Sequence, residues 1–204
     1  ELSFGIQVKH VASTCFFLLK VLRKILPLLP KPVHRVVIQV TILSQLDYCN
    51  SLYLGLDKGL VRKLQRVQNV AACLAMGAAG FSSVSEALKT LHWLAVDKRI
   101  TFKALCLVNK VVYQHAPMYL RQTFTNYIPS CLLCSAEPKL LVVPSYKREW
   151  SGGKAFLVRA ALLWNKLPTA ILLSLTLLQF RKAIKTWLFN TACCKTDRAK
   201  NPHR

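Results

Sequence analysis

Leu60-Val61-Arg62-Lys63-Leu64-Gln65-Arg66-Val67-Gln68-Asn69-Val70-Ala71-Ala72-Cys73-Leu74 is the most legible stretch of the chain. Leu60, Leu64, Val67, Ala71 and Leu74 recur at the three- and four-residue spacing that gathers side chains on one face of an α-helix. Gly77 supplies a stop, because glycine takes the left-handed conformation that closes helices. Arg62, Lys63 and Arg66 lie on the other face and make one compact basic patch. A solvated outer face and a phosphate-binding face account for that patch equally well.

The same periodicity extends to both sides. Residues 10–26 read as a helix ended by Pro27, Pro30 and Pro32. Residues 33–54 form a second apolar stretch, whose length and lack of alternation favour helix over strand despite its β-branched residues. Ser83 and Glu86 have capping-box spacing, so a short helix starts there, closed by Trp93 and Leu94. A long helix over about 97–115 follows, with Asp97 suiting its N-terminal dipole and Pro117 marking its end. Residues 126–139 read as loop, and Leu140-Leu141-Val142-Val143-Pro144 is the one good strand candidate, at an edge because of its proline. Gly152-Gly153 turns the chain into a helix from about Lys154 to Trp164. Ser174 is the expected cap of a last helix running through Leu188, and Cys193 to Arg204 read as a frayed, basic tail.

The expected fold is therefore mainly α: a helical bundle with one short extended segment near 140–144 and a basic C-terminal helical hairpin. The expected division is a helical body over 1–125, a loop-rich linker with the short strand over 126–153, and basic C-terminal helices with their tail over 154–204.

Charge narrows the function. The 204 residues carry 29 Lys and Arg against 8 Asp and Glu, a net charge of +21, which exceeds what solubility asks of a small domain. The excess is distributed: residues 1–50, 51–100 and 101–150 each carry a net +4, and the last 54 carry +9. A field of this sign attracts polyanions, and phosphate contacts make such binding strongly salt-dependent. Nucleic acid, RNA or DNA, is the partner it favours. An acidic membrane surface is the lesser alternative, met by an amphipathic helix over Cys15–Leu26. No membrane span is expected: the longest charge-free stretch, Val67 to Ser85, is too polar, and the greasiest, Ala170 to Leu178, is too short.

The basic residues selected as nucleic-acid contacts are Arg62, Lys63 and Arg66, the loop pair Lys147 and Arg148 beside Tyr146 and Trp150, and Arg181, Lys182 and Lys185 on the last helix. Core packing is the expected role of Trp93, Trp164 and Trp187. The acidic residues are scattered, and neither paired aspartates for two-metal phosphoryl transfer nor a glycine-rich phosphate loop occurs. No catalytic residue and no cofactor is therefore assigned. Cys131 and Cys134 have half-site spacing for zinc, but Cys193-Cys194 and His203 complete four ligands poorly, so free thiols are the expectation. The cysteines are too sparse for a disulfide scaffold, and a reducing compartment, nucleus or cytoplasm, is expected. The opening Glu1-Leu2-Ser3-Phe4, without a start methionine, reads as an interior piece of a longer chain.

Several blocks, in order, carry a resemblance. They are Leu43-Ser44-Gln45-Leu46-Asp47-Tyr48-Cys49-Asn50-Ser51, Leu64-Gln65-Arg66-Val67-Gln68-Asn69-Val70-Ala71-Ala72, Leu91-His92-Trp93-Leu94-Ala95-Val96 with Arg99-Ile100, Leu141-Val142-Val143-Pro144, and Trp164-Asn165-Lys166-Leu167-Pro168. Phe180-Arg181-Lys182 through Lys185-Thr186-Trp187-Leu188-Phe189 follows as a final block. Together they resemble the region beyond the palm in non-LTR (LINE-type) retrotransposon reverse transcriptase polyproteins. The resemblance implies that residues 1 to about 75 are thumb-like and that the remainder helps to hold template RNA and target DNA. It also implies that the polymerase and endonuclease domains belong upstream, and that apolar faces here once packed on a palm. Where the family reads P-S-R-x-L-R-S, this chain has Pro129-Ser130-Cys131-Leu132-Leu133-Cys134-Ser135, a change that a C-to-T transition in arginine codons produces. The expected function is a non-catalytic nucleic-acid-binding remnant. The alternatives are a host-recruited helical protein-interaction module or a decayed element copy with no function.

Overall fold

The computed structural model describes residues 4–77, 83–127, 140–147, 153, 155–174 and 176–200, with side chains as far as Thr191. The fold is all-α, a helical bundle, and no β-sheet occurs among the described residues. The chain separates into two compact units, Glu1–Ile100 and Thr101–Arg204. The division falls inside a helix, whereas the sequence suggested a divide over 126–153, most of which lies outside the described residues.

The first unit is built on α1 (Gly5–Ile25), which begins earlier than expected because its apolar period continues through Val8. Val8, Ala12, Cys15, Leu19 and Leu22 form its buried stripe. A 3₁₀ turn, Leu26–Leu28, carries the chain to α2 (Lys31–Ile38), where Pro32 sits in the first turn and gives up an N–H that has no helical partner there. The helix then widens into a π segment, Gln39–Leu43, before α3 (Ser44–Asp47). The hydroxyl of Thr41 donates to the Val37 carbonyl at 2.7 Å, and that of Ser44 donates to Val40, the back-bonding that loosens a helical ladder. The single helix expected over 33–54 thus ends at Asp47: Tyr48 turns extended and Cys49 enters the left-handed region at φ 48°.

The helix read first, α4, spans Lys58–Ala75. Asp57 caps it by accepting from the Gly59 N–H at 2.8 Å, and Gly77 closes it at φ +76°. Leu64, Val67, Ala71 and Ala72 are buried and the helix packs along α1. Each fully buried Leu or Val contributes roughly 1.5–3 kcal/mol. Next, α5 (Val84–Thr90) starts on the expected cap, with Ser83 Oγ accepting from the Glu86 N–H at 3.3 Å.

The second unit takes up most of α6 (Val96–Val112), then α7 (Met118–Arg121), α8 (Phe156–Asn165), α9 (Thr169–Leu172) and α10 (Leu177–Lys200). Its buried residues include Ala104, Leu105, Val108, Trp164, Phe180, Ile184 and Leu188. The Trp164 and Phe180 rings lie 5.7 Å apart, centre to centre. The Tyr113 hydroxyl donates to the Leu172 carbonyl at 2.7 Å. The segment expected at 140–144 is reduced to one antiparallel bridge, Leu141 with Asn126. The amide of Asn165 grips Leu141 from the other side: Oδ1 accepts from its N–H at 3.0 Å and Nδ2 donates to its carbonyl at 2.8 Å.

Two expectations for the last helix need correction. Thr176, not Ser174, caps it, in a reciprocal box with Gln179: the Gln179 N–H donates to Thr176 Oγ1 at 3.2 Å and the Thr176 N–H to Gln179 Oε1 at 3.3 Å. The helical backbone then runs on to Lys200 through the residues expected to fray, since neither Gly nor Pro interrupts it.

Candidate nucleic-acid interface

The described acids of the first unit are engaged in its own structure. Asp47 forms a two-point ion pair with Arg99: Arg99 Nε donates to Oδ1 at 2.9 Å and Nη2 donates to Oδ2. Asn50 Nδ2 also donates to Asp47 Oδ1 at 3.1 Å. Asp57 is a helix cap, and Asp97 lies 4.0 Å from Lys98. The bases of α4 face the other way. Arg62, Lys63 and Arg66 are all exposed, and the preceding Lys58 is exposed one turn below Arg62, whose Nε donates to the Lys58 carbonyl at 3.4 Å. The cationic side of α4 therefore has four members, of which the apolar period revealed three.

The second unit holds more of the charge. It carries 16 Lys and Arg against 3 Asp and Glu, compared with 13 against 5 in the first. None of its acids lies among residues whose side chains are described. On α10, Phe180, Ile184 and Leu188 repeat every four residues along the buried side, which leaves Arg181, Lys182 and Lys185 exposed. Lys185 Nζ lies 6.0 Å from the centre of the Phe189 ring, at the edge of cation–π range. Lys147 is exposed, and Arg148 lies outside the described residues.

Cations that sequence did not connect act together on Cys106 of α6. Burial pushes this thiol above its ordinary pKa, and Arg181, Lys103 and Lys110 pull it back down. Lys103, Cys106 and Lys110 share one face of α6 at intervals of three and four, and the positive charge of Arg181 on α10 acts on the same thiol. The interval from Lys103 to Lys110 is visible in the chain, but the influence of Arg181 arises only on folding.

Among the described residues, no group of three His, Cys, Asp or Glu side chains is placed to hold a metal ion. Cys131 and Cys134 lie outside those residues. Trp93 and Trp164 are buried in the cores of their units, whereas Trp187 is only half-buried. Trp150 lies outside the described residues. Among the described residues, no helix is long and apolar enough to cross a membrane. No family model, curated protein or solved structure matches the chain.

Proposed function

We propose that this chain is a non-catalytic nucleic-acid-binding module that holds RNA or DNA by its phosphates. The observation that carries this reading is the exposure of Arg181, Lys182 and Lys185 together on α10, opposite its buried Phe180, Ile184 and Leu188, with Lys103 and Lys110 exposed on one face of α6. In the proposal, α8 and α10 act as a basic C-terminal hairpin. Arg181, Lys182 and Lys185 meet one stretch of backbone, and Arg62, Lys63 and Arg66 of the first unit meet another. Its origin as the C-terminal part of a retrotransposon reverse transcriptase, acting in the nucleus or cytoplasm, rests on the ordered sequence blocks and belongs to the same proposal.

A fluorescence titration of single-stranded RNA and duplex DNA at several salt concentrations tests it. Affinity should fall linearly on logarithmic axes, and Arg181→Gln/Lys182→Gln/Lys185→Gln should shallow that slope by up to about 3. A triple variant with the same slope and affinity as the parent removes these residues from the interface.

A second reading has its own observation. Ile6, Phe17 and Leu28 are 80%, 66% and 82% exposed, and Ile6 and Phe17 lie on the side of α1 opposite its buried stripe. Large apolar residues left bare in this way suit a protein partner, such as a polymerase palm or a host protein. Capture of a partner that survives nuclease treatment and high salt would favour this reading over the first.

A further inference from the structure

The first unit contains a cavity of about 650 Å³, within the range of small-molecule sites (~300–1,000 Å³). Its walls come from the end of α1, the 3₁₀ turn after it, the start of α2, the second half of α4 and the start of α5. Leu26, Pro27, Val70, Leu74 and Val84 make the walls mostly apolar. Its charged lining residues among those described are Arg23 and Lys31, both cationic and both exposed, with no carboxylate beside them. Two other polar lining groups are already engaged: His34 Nε2 donates to the Leu29 carbonyl at 3.0 Å, and Asn69 Oδ1 accepts from Gln65 Nε2 at 2.8 Å. The cavity therefore offers a long apolar surface with net positive charge and few free polar groups.

We infer that this cavity binds a single-chain amphipathic anion, with the apolar chain along Leu26, Val70 and Leu74 and the carboxylate against Arg23 and Lys31. Charge complementarity selects the ligand class. An apolar body matches the walls, and a head of one negative charge finds two cations and, among the described lining residues, no opposing acid. The site is thus separate in chemistry from the exposed Arg62 and Arg66 earlier on α4, although the same helix carries both.

Two thiols make the test local. Cys73 lines the cavity and is exposed, whereas Cys49 is exposed and does not line it. Alkylation of the full chain by N-ethylmaleimide is followed at each cysteine by peptide mass spectrometry, with dodecanoate, dodecanol or dodecylammonium added below their micelle concentrations. Dodecanoate should slow alkylation of Cys73 about tenfold at saturation and leave Cys49 unchanged. Dodecylammonium should not protect. Arg23→Gln/Lys31→Gln, which alters only exposed side chains, should weaken dodecanoate protection about tenfold and leave dodecanol protection as it was. Val70→Trp, which fills the cavity, should abolish protection by both. Equal protection of Cys73 and Cys49 would mean adsorption to a cationic surface and would overturn the site. So would protection by dodecylammonium as strong as by dodecanoate, protection that survives Val70→Trp, or protection seen only with phosphatidylserine vesicles.

Discussion

The two units solve the same packing problem with different chemistry. In the first, polar side chains tie distant helices together. Asp47 of α3 holds Arg99 of α6, Gln65 of α4 accepts from the Val96 N–H at 2.8 Å, and Gln68, fully buried, donates to the Leu94 carbonyl at 2.8 Å. In the second, the core rests on Trp164, Phe180, Ile184 and Leu188, and the ties among its described residues include the Tyr113 hydroxyl on Leu172 and the Asn165 clamp on Leu141, with no ion pair. The charge inventory differs in the same direction: the first unit has 5 acids for its 13 bases and uses Asp47 and Asp57 in a tie and a cap, whereas the second has 3 acids for its 16 bases.

The most severe way to break the comparison is Trp164→Ala. Truncating a fully buried tryptophan leaves a cavity that its neighbours fill only partly, at a cost of about 3–5 kcal/mol. Hydrogen exchange should show α8 and α10 losing protection while α1 and α4 keep theirs. Equal loss in both sets of helices would mean that the units unfold as one, and the contrast between them would then have no energetic meaning.

Asp47→Ala should come next, at about 2–3 kcal/mol. Removing one partner of a buried ion pair costs more than the pair is worth, but Asp47 and Arg99 keep 28% and 17% side-chain exposure, which lowers the penalty. Adding Arg99→Leu should recover part of the loss, because the stranded guanidinium is then gone as well. Urea denaturation of the two single variants and the double variant measures this directly. Strict additivity would show that the tie does not organise the first unit.

How much of this could be read in the chain depended on whether the cause was local. The α4 helix and the Ser83 cap rest on neighbours within one turn, and each is found where its signal stands, whereas α6 stops at Val112, short of Pro117, because Gln114 turns left-handed at φ 60°. The π segment inside the second apolar stretch had no such signal, since Thr41 and Ser44 are ordinary helix residues until their hydroxyls bond backwards. The Thr176 cap was missed in favour of Ser174 because both are hydroxyl residues near the helix start, and only the Gln179 return bond separates them. The polar ties were the least accessible. Asp47, Gln68 and Asn165 were legible as parts of recognisable blocks, but their partners lie 52, 26 and 24 residues away. Of the candidate site, exposure of the cations on α4 and α10 followed from helical period, whereas the effect of Arg181 on Cys106 is a product of tertiary packing.

The mildest expected effect uses one cysteine from each unit. Burial pushes Cys15, in the first unit, up to about 11 from an ordinary 9.0. Cys106, in the second, is also raised by burial, but Arg181, Lys103 and Lys110 oppose the rise. A thiol whose pKa is higher folded than unfolded binds its proton more tightly in the native state. The associated stability is complete below pH 9 and is lost as pH climbs toward 11, because the unfolded chain can ionise first. At pH 10 the loss for Cys15 is about 1.4 kcal/mol. Tyr53, raised by its own burial and then by Cys49, adds a loss of the same sign within the first unit. Urea melts between pH 8 and 10.5 should therefore show alkaline weakening in α1 and α4 before α8 and α10. Cys15→Ala should flatten the slope without removing the part due to Tyr53. If α8 and α10 weaken first, Arg181, Lys103 and Lys110 do not offset the burial of Cys106.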